Sequence, residues 1–133
     1  MMSRAPTSIL IHAATYWNPT QFELLSGHAY RLTAAGKWID FWIPSGPDGY
    51  LSPTVYMRWF EHLRRASRQK WFALMGAFEK NDDEAFLIGS DALVRPSRDG
   101  TLWCLANDVA FGYWNNWGHV SLSIEEVPQT SAG

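Results

Sequence analysis

Asn107-Asp108-Val109-Ala110-Phe111-Gly112-Tyr113-Trp114-Asn115-Asn116-Trp117-Gly118 is the stretch from which the rest of the chain is read. It gathers one carboxylate, three carboxamides and two glycines into a turn-like segment. An apolar run, Leu102 to Ala106, precedes it, and an alternating run, His119 to Ile124, follows. That pattern predicts strand, turn, strand. Neighbours in a strand point to opposite faces, so Asn115 and Asn116 can share one target only if the chain bends there. Gly118 eases such a bend, and Gly112 lets the loop turn back with a carbonyl facing inward.

The same punctuation runs outward through the chain and predicts an all-β fold. Ile9 to Thr15 alternates moderately, Ser26-Gly27 is a turn, and Tyr30 to Ala34 alternates with period two. Ala35-Gly36-Lys37 breaks that strand, and Trp38, Phe41 and Ile43 belong to the next. Pro44 to Gly49 reads as loop because of its Pro and Gly content. Trp71 to Phe78 is a continuous apolar run, the pattern of a buried strand. Glu79 to Glu84 is a charged turn, Ala85 to Gly89 a short strand, Arg95 to Gly100 a loop, and Gln129 to Gly133 a frayed tail. One segment departs from this. Ser52-Pro53 followed by Thr54 to Arg68 carries an N-cap candidate, a first-turn proline and helical spacing of Val55, Trp59 and Leu63, which predicts a short inserted helix. No repeat or linker divides the chain, so residues 1–133 are expected to form a single domain.

Composition narrows the function classes. Of 133 residues, 47% are apolar, enough for a real core. The eight tryptophans suit sandwich interiors and ring stacking alike. A net charge of −2 gives no general drive toward nucleic acid or anionic lipid. Cys104 is the only cysteine, which excludes an intrachain disulfide and a thiolate metal cluster. No segment approaches the roughly 20 apolar residues of a membrane span. Met1 to Pro6 is not followed by a long apolar run, so a cytoplasmic protein is expected, with export by a route lacking a cleaved signal as the alternative.

The central loop admits two chemical readings. Asn and Asp in loops commonly satisfy their own backbone. Hard cations such as calcium take about six to eight oxygen ligands from carboxylates, amides and carbonyls, and this segment offers several together. A monosaccharide is strongly hydrated, so hydrogen bonds alone exchange water for protein with little net gain. A cation with open coordination positions attracts a diol by charge–dipole interaction and selects its geometry.

Asn107-Asp108-Val109 followed by Tyr113-Trp114-Asn115-Asn116-Trp117-Gly118 resembles the calcium loop of the bacterial galactophilic lectins of the PA-I type. Ser26 to Gly36, ending in Ala34-Ala35-Gly36, resembles that family's upstream strand, and Gly46-Pro47-Asp48-Gly49 its following loop. Phe72 to Gly76 lies where the family has a core strand. The similarity covers roughly residues 22 to 124, with an insertion near 54 to 70. It implies a jelly-roll-like β-sandwich of the galactose-binding kind, a calcium ion, galactoside binding and a homo-oligomer, the family being tetrameric. Carried over by position, Asp108 would ligate calcium through its carboxylate, Gly112 through its carbonyl, and Asn115 and Asn116 through their amide oxygens. A further ligand falls on Asp40 or Phe41, with Asp40 preferred because it also brings a carboxylate. Sugar contacts fall on Asp108, Val109 and Asn115, with Trp114 and Phe41 as flanking aromatic candidates. Ala110 and Phe111 replace the family's Pro-Gly, and its galactose-contacting His-Pro-x-Gln stretch has no counterpart around Leu51 to Val55.

Other features read as structural. The basic run Arg58 to Lys70 reads as the solvated face of the inserted helix, with nucleic-acid contact as the lesser reading. His12 and His119 read as cross-strand partners, Cys104 as a core residue, and Asp82-Asp83-Glu84 as a solvated turn. Neither a Gly-x-Ser-x-Gly elbow nor a phosphate loop is present, so a non-enzymatic binder is expected. The expectation is a calcium-dependent carbohydrate-binding lectin. The alternative is a lectin-fold interaction or oligomerisation module without sugar binding.

Overall fold

Alternating burial along the strands closes into two antiparallel sheets. The computed structural model describes residues 7–128; the N-terminal segment 1–6 and the expected frayed tail 129–133 lie outside them. One sheet contains β1 (Thr7–His12), β3 (Ala29–Ala35), β4 (Trp38–Asp40), β5 (Ile43–Ser45), β8 (Asp91–Val94) and β10 (Asn116–Val127). The other contains β2 (Asn18–Leu24), β9 (Gly100–Ala106), β6 (Leu74–Phe78) and β7 (Phe86–Leu87), in that order. The sandwich expected from the sequence is the one observed.

The core lies between the sheets. Val120, Leu122 and Ile124 of β10, Leu32 of β3 and Ile11 of β1 face Leu74, Leu102 and Cys104 of the second sheet, all fully or almost fully buried. Each such aliphatic side chain contributes about 1.5–3 kcal/mol relative to exposure. Trp38 is completely enclosed, and its indole N–H donates to the Phe72 carbonyl at 3.1 Å.

The register of β10 positions the site. It pairs with β3 from Val127↔Ala29 to Ser121↔Ala35, and with β4 from Gly118↔Trp38 to Asn116↔Asp40. The pairing frame does not shift across Gly36 and Lys37, so β3 and β4 behave as one interrupted strand. Asp40 and Asn116 therefore sit on one rung at the end of the sandwich. They share the inward face of Trp38 and Val120, because strand side chains alternate. On the other side of β10, His12 lies opposite His119 with ring centroids 5.7 Å apart, the cross-strand pair expected.

Several elements differ from expectation. Ile43–Ser45 is a strand although it contains Pro44; it pairs only with β4, and an edge position tolerates a missing N–H. The run expected as a strand from Trp71 begins only at Leu74, because Phe72 takes a left-handed conformation with φ 59°. The sequence reading did not identify β2 as a strand. Its burial alternates strictly despite a register shift between Pro19 and Glu23, but two of its four inward residues, Asn18 and Thr20, are polar and Pro19 reads as a breaker, so the apolar pattern of a strand is absent from the sequence. The inserted helix is much shorter than the span 54–68: a single α-turn, Val55–Arg58, followed by a 3-10 turn, Glu61–Leu63. Beyond it the backbone of residues 64–66 bonds to the central loop. The Arg65 N–H donates to the Asp108 carbonyl at 2.9 Å, the Ala66 N–H donates to Asn107 Oδ1 at 2.9 Å, and Arg64 bridges to Val109. No helix among the described residues is long and apolar enough to cross a membrane.

Candidate metal centre

Asp108 leaves the end of β9 and turns under its own backbone. Its Oδ1 accepts from the Val109 N–H at 2.7 Å, and its Oδ2 accepts from Asn116 Nδ2 at 3.0 Å. Across the β4–β10 rung, the Asp40 carboxylate accepts from the Tyr50 hydroxyl at 2.5 Å. Both acids are buried, with 4% exposure for Asp108 and 7% for Asp40. No Lys or Arg among the described residues pairs with either. Burial pushes the Asp108 carboxyl up to about 6; the charge of Asp40 adds to that, and the bonds from Asn116 and Val109 oppose it. Burial likewise raises Asp40 above the ordinary carboxylate range, against the opposing Tyr50 bond. Negative charge is thus enclosed without a compensating cation.

The amides complete the arrangement. Asn116 Nδ2 donates to Asp108 Oδ2 and to the Ala13 carbonyl at 3.2 Å. Turning the amide over would set oxygen against those acceptors, so the orientation is fixed by its partners. Its Oδ1 is consequently left buried and unpaired, as is Oδ1 of Asn115. An unpaired buried acceptor costs about 1–3 kcal/mol, and here two belong to adjacent residues, Asn115 lining the same cavity as Asp40 and Asp108 and Asn116 bonded to Asp108. The bend expected between these neighbours is the 3-10 turn Tyr113–Asn115, which ends where β10 begins. Gly118, the expected bend residue, instead lies inside β10 opposite Trp38 with φ 86°. Gly112 has an ordinary φ of −100°, and what it provides is space. A Cβ there would stand 2.9 Å from Val109 Cγ2 and 3.0 Å from Asp108 Oδ1.

Asp40, Asp108, Gly112 and Asn115 line one cavity of about 300 Å³, with Val109 and Trp114 also on its wall. Asn116 reaches the group through Asp108. Phe41 is not on that wall: its ring is 59% exposed, and its carbonyl accepts from the Trp117 indole at 3.3 Å. Among the described residues no group of three His, Cys, Asp or Glu side chains is placed to hold a metal ion. A metal here would meet two carboxylates and neutral amide and carbonyl oxygens, a donor set that balances a divalent charge and suits a hard cation rather than zinc. The residues present fit calcium.

Part of this surrounding was not legible beforehand. Tyr50, Met57, Phe60 and Trp71 also border the centre or its cavity. Asn107 belongs to the oxygen-rich segment, but its amide is taken up by the insert: Nδ2 donates to the carbonyls of Ala66, Gln69 and Lys70. Arg65, expected on a solvated face, has a side chain only 2% exposed. It donates to Asp82, to the Tyr16 carbonyl and to the Tyr113 hydroxyl, and lies 3.6 Å over the Tyr16 ring. Asp82 is accordingly an ion-pair partner and not a free turn residue. Arg64 packs on Trp71, so the basic run presents no continuous cationic face. Cys104 is buried as expected.

No family profile and no curated relative matches the sequence. Among solved structures, the chain is similar to the N-terminal domain of EclA, described as a PllA-like lectin. The TM-score is 0.64 at 17% identity, over 90% of this chain and 95% of that one. At that identity the likeness speaks for architecture, and the chain has a lectin-type β-sandwich fold.

Proposed function

We propose that this protein is a calcium-dependent carbohydrate-binding lectin that takes a galactoside or a related diol-bearing sugar and works as a homo-oligomer. The observation that carries the reading is the pair of buried, unpartnered amide oxygens of Asn115 and Asn116 beside the enclosed carboxylates of Asp108 and Asp40. Asp108, Asp40, Asn115 and Asn116 would hold calcium with side-chain oxygens, and Gly112 with its carbonyl. Bound calcium would supply charge–dipole attraction to two neighbouring sugar hydroxyls. Asn116 Nδ2 and the Val109 N–H orient the Asp108 carboxylate, and Tyr50 orients that of Asp40. Trp114, 81% exposed at the rim, offers a ring face to the sugar.

Calorimetry tests this directly. The expected result is calcium binding, then sugar binding that vanishes in chelator, with both lost in Asp108→Ala. A wild-type melting temperature indifferent to calcium would refute the site, since ligand at about 100 times Kd stabilises by about 2.7 kcal/mol. The exposed rings of Phe41, Trp42 and Trp117 favour a second reading, an association surface. Calcium binding with no response to any sugar, together with concentration-dependent assembly, would favour it.

A further inference from the structure

The lining of the cavity at the candidate metal centre falls into two chemical sets. Asp40, Asp108 and Asn115 bring oxygens. Met57 and Phe60 of the insert, with Trp71 and Phe111, bring an apolar wall. The Trp71 indole N–H is already taken up by Ser52 Oγ at 2.7 Å. Among the side chains lining the cavity, the polar groups are therefore the candidate calcium ligands and the indole of Trp114 at the exposed rim. A sugar whose diol meets those oxygens sets its other ring substituents in a cavity whose remaining side chains are mostly apolar. A hydroxymethyl group there gives up water and finds no side-chain partner on Met57, Phe60 or Phe111, which carries a penalty. A methyl group in the same place leaves water at a gain.

We infer that the apolar wall built by Met57, Phe60, Trp71 and Phe111 makes the site select 6-deoxy sugars over their hydroxymethyl parents. The inference rests on the calcium-dependent sugar reading and deepens it by naming the substrate class. The insert is then a specificity element, held against the metal loop by Asn107 and Arg65.

Calorimetry on the full chain in calcium, with matched pairs differing only at that carbon, tests it. Suitable pairs are methyl 6-deoxygalactosides against methyl galactosides in the D and L series, and methyl rhamnosides against methyl mannosides. In the pairs that bind, the deoxy member is expected to bind about ten-fold more tightly. Met57→Gln, which adds an amide to the wall, is expected to shrink that preference below about three-fold with calcium affinity unchanged. Phe60→Tyr serves the same purpose if Met57→Gln melts early. Equal or tighter binding of the hydroxymethyl parents would overturn the selectivity and leave the lectin reading standing. A deoxy preference unmoved by both variants would overturn the role of the wall. No response to any sugar in calcium would overturn both the selectivity and the reading beneath it.

Discussion

Replacing Asp108 by Asn should stabilise the metal-free protein while abolishing its response to calcium. Burial holds the Asp108 proton to a pKa of about 6, against roughly 3.9 for an unperturbed aspartate. A carboxyl with a raised folded-state pKa contributes stability that is fully present below the unfolded value. That stability is lost as pH rises through the folded value. A shift of about two units corresponds to roughly 3 kcal/mol, at about 1.36 kcal/mol per unit, lost between about pH 4 and pH 6. Solvent screening takes little from this figure, because the side chain is 4% exposed. An amide at 108 accepts from Val109 or from Asn116 but not from both, at a cost of about 1 kcal/mol. The net expectation is that Asp108→Asn is more stable than wild type by roughly 2 kcal/mol above about pH 7 in chelator, and less stable by about 1 kcal/mol near pH 4. Urea unfolding in chelator across that range measures both. With calcium added, the order should reverse, since only wild type gains. A stability difference that stays flat from about pH 4 to pH 7 would refute the argument that enclosed negative charge destabilises the free site.

Gly112→Ala should weaken calcium binding about ten-fold or more while lowering metal-free stability by only about 1 kcal/mol, because the new Cβ meets Asp108 Oδ1 at 3.0 Å; calcium titration and melting curves separate the two effects. Arg65→Met should destabilise by roughly 3 kcal/mol, the cost of leaving Asp82 and Tyr113 without a buried guanidinium, and denaturant unfolding of the single and the Arg65→Met, Asp82→Leu double variant checks whether the second change restores part of it. Trp114→Ala should lower sugar affinity about five-fold without altering calcium affinity; a rise in sugar affinity would identify the ring as an obstruction at the rim.

The sequence was most informative where the candidate ligands are contiguous. Asp108, Gly112, Asn115 and Asn116 lie in one short segment, so composition and resemblance pointed to them together. Asp40 is a different case. Its place depends on the register of β4 against β10, and the strand residues themselves do not state that pairing. Phe41 was an open alternative for the same reason, one position along the same stretch. Tyr50 and the Met57–Phe60 wall carry no local signature, because what defines them is a contact made after folding. The length of the inserted helix was overestimated because helical spacing reports on periodicity alone. Here the backbone of 64–66 finds better partners in Asn107, Asp108 and Val109. Strand β2 is not legible because its inward face begins with polar Asn18 and Thr20, with Pro19 between them, so its alternation in burial is not an alternation in hydrophobicity.

The unshifted ladder along β10 has a consequence for how the chain matures. A slip of β10 by a single position against β4 would set Asp40 and Asn116 on opposite faces of the sheet, so a misaligned sheet would not bring these candidate ligands together. On the proposed reading, divalent-ion capture would act as a proofreading step, rewarding only the correctly zipped sandwich and drawing slipped forms back by mass action.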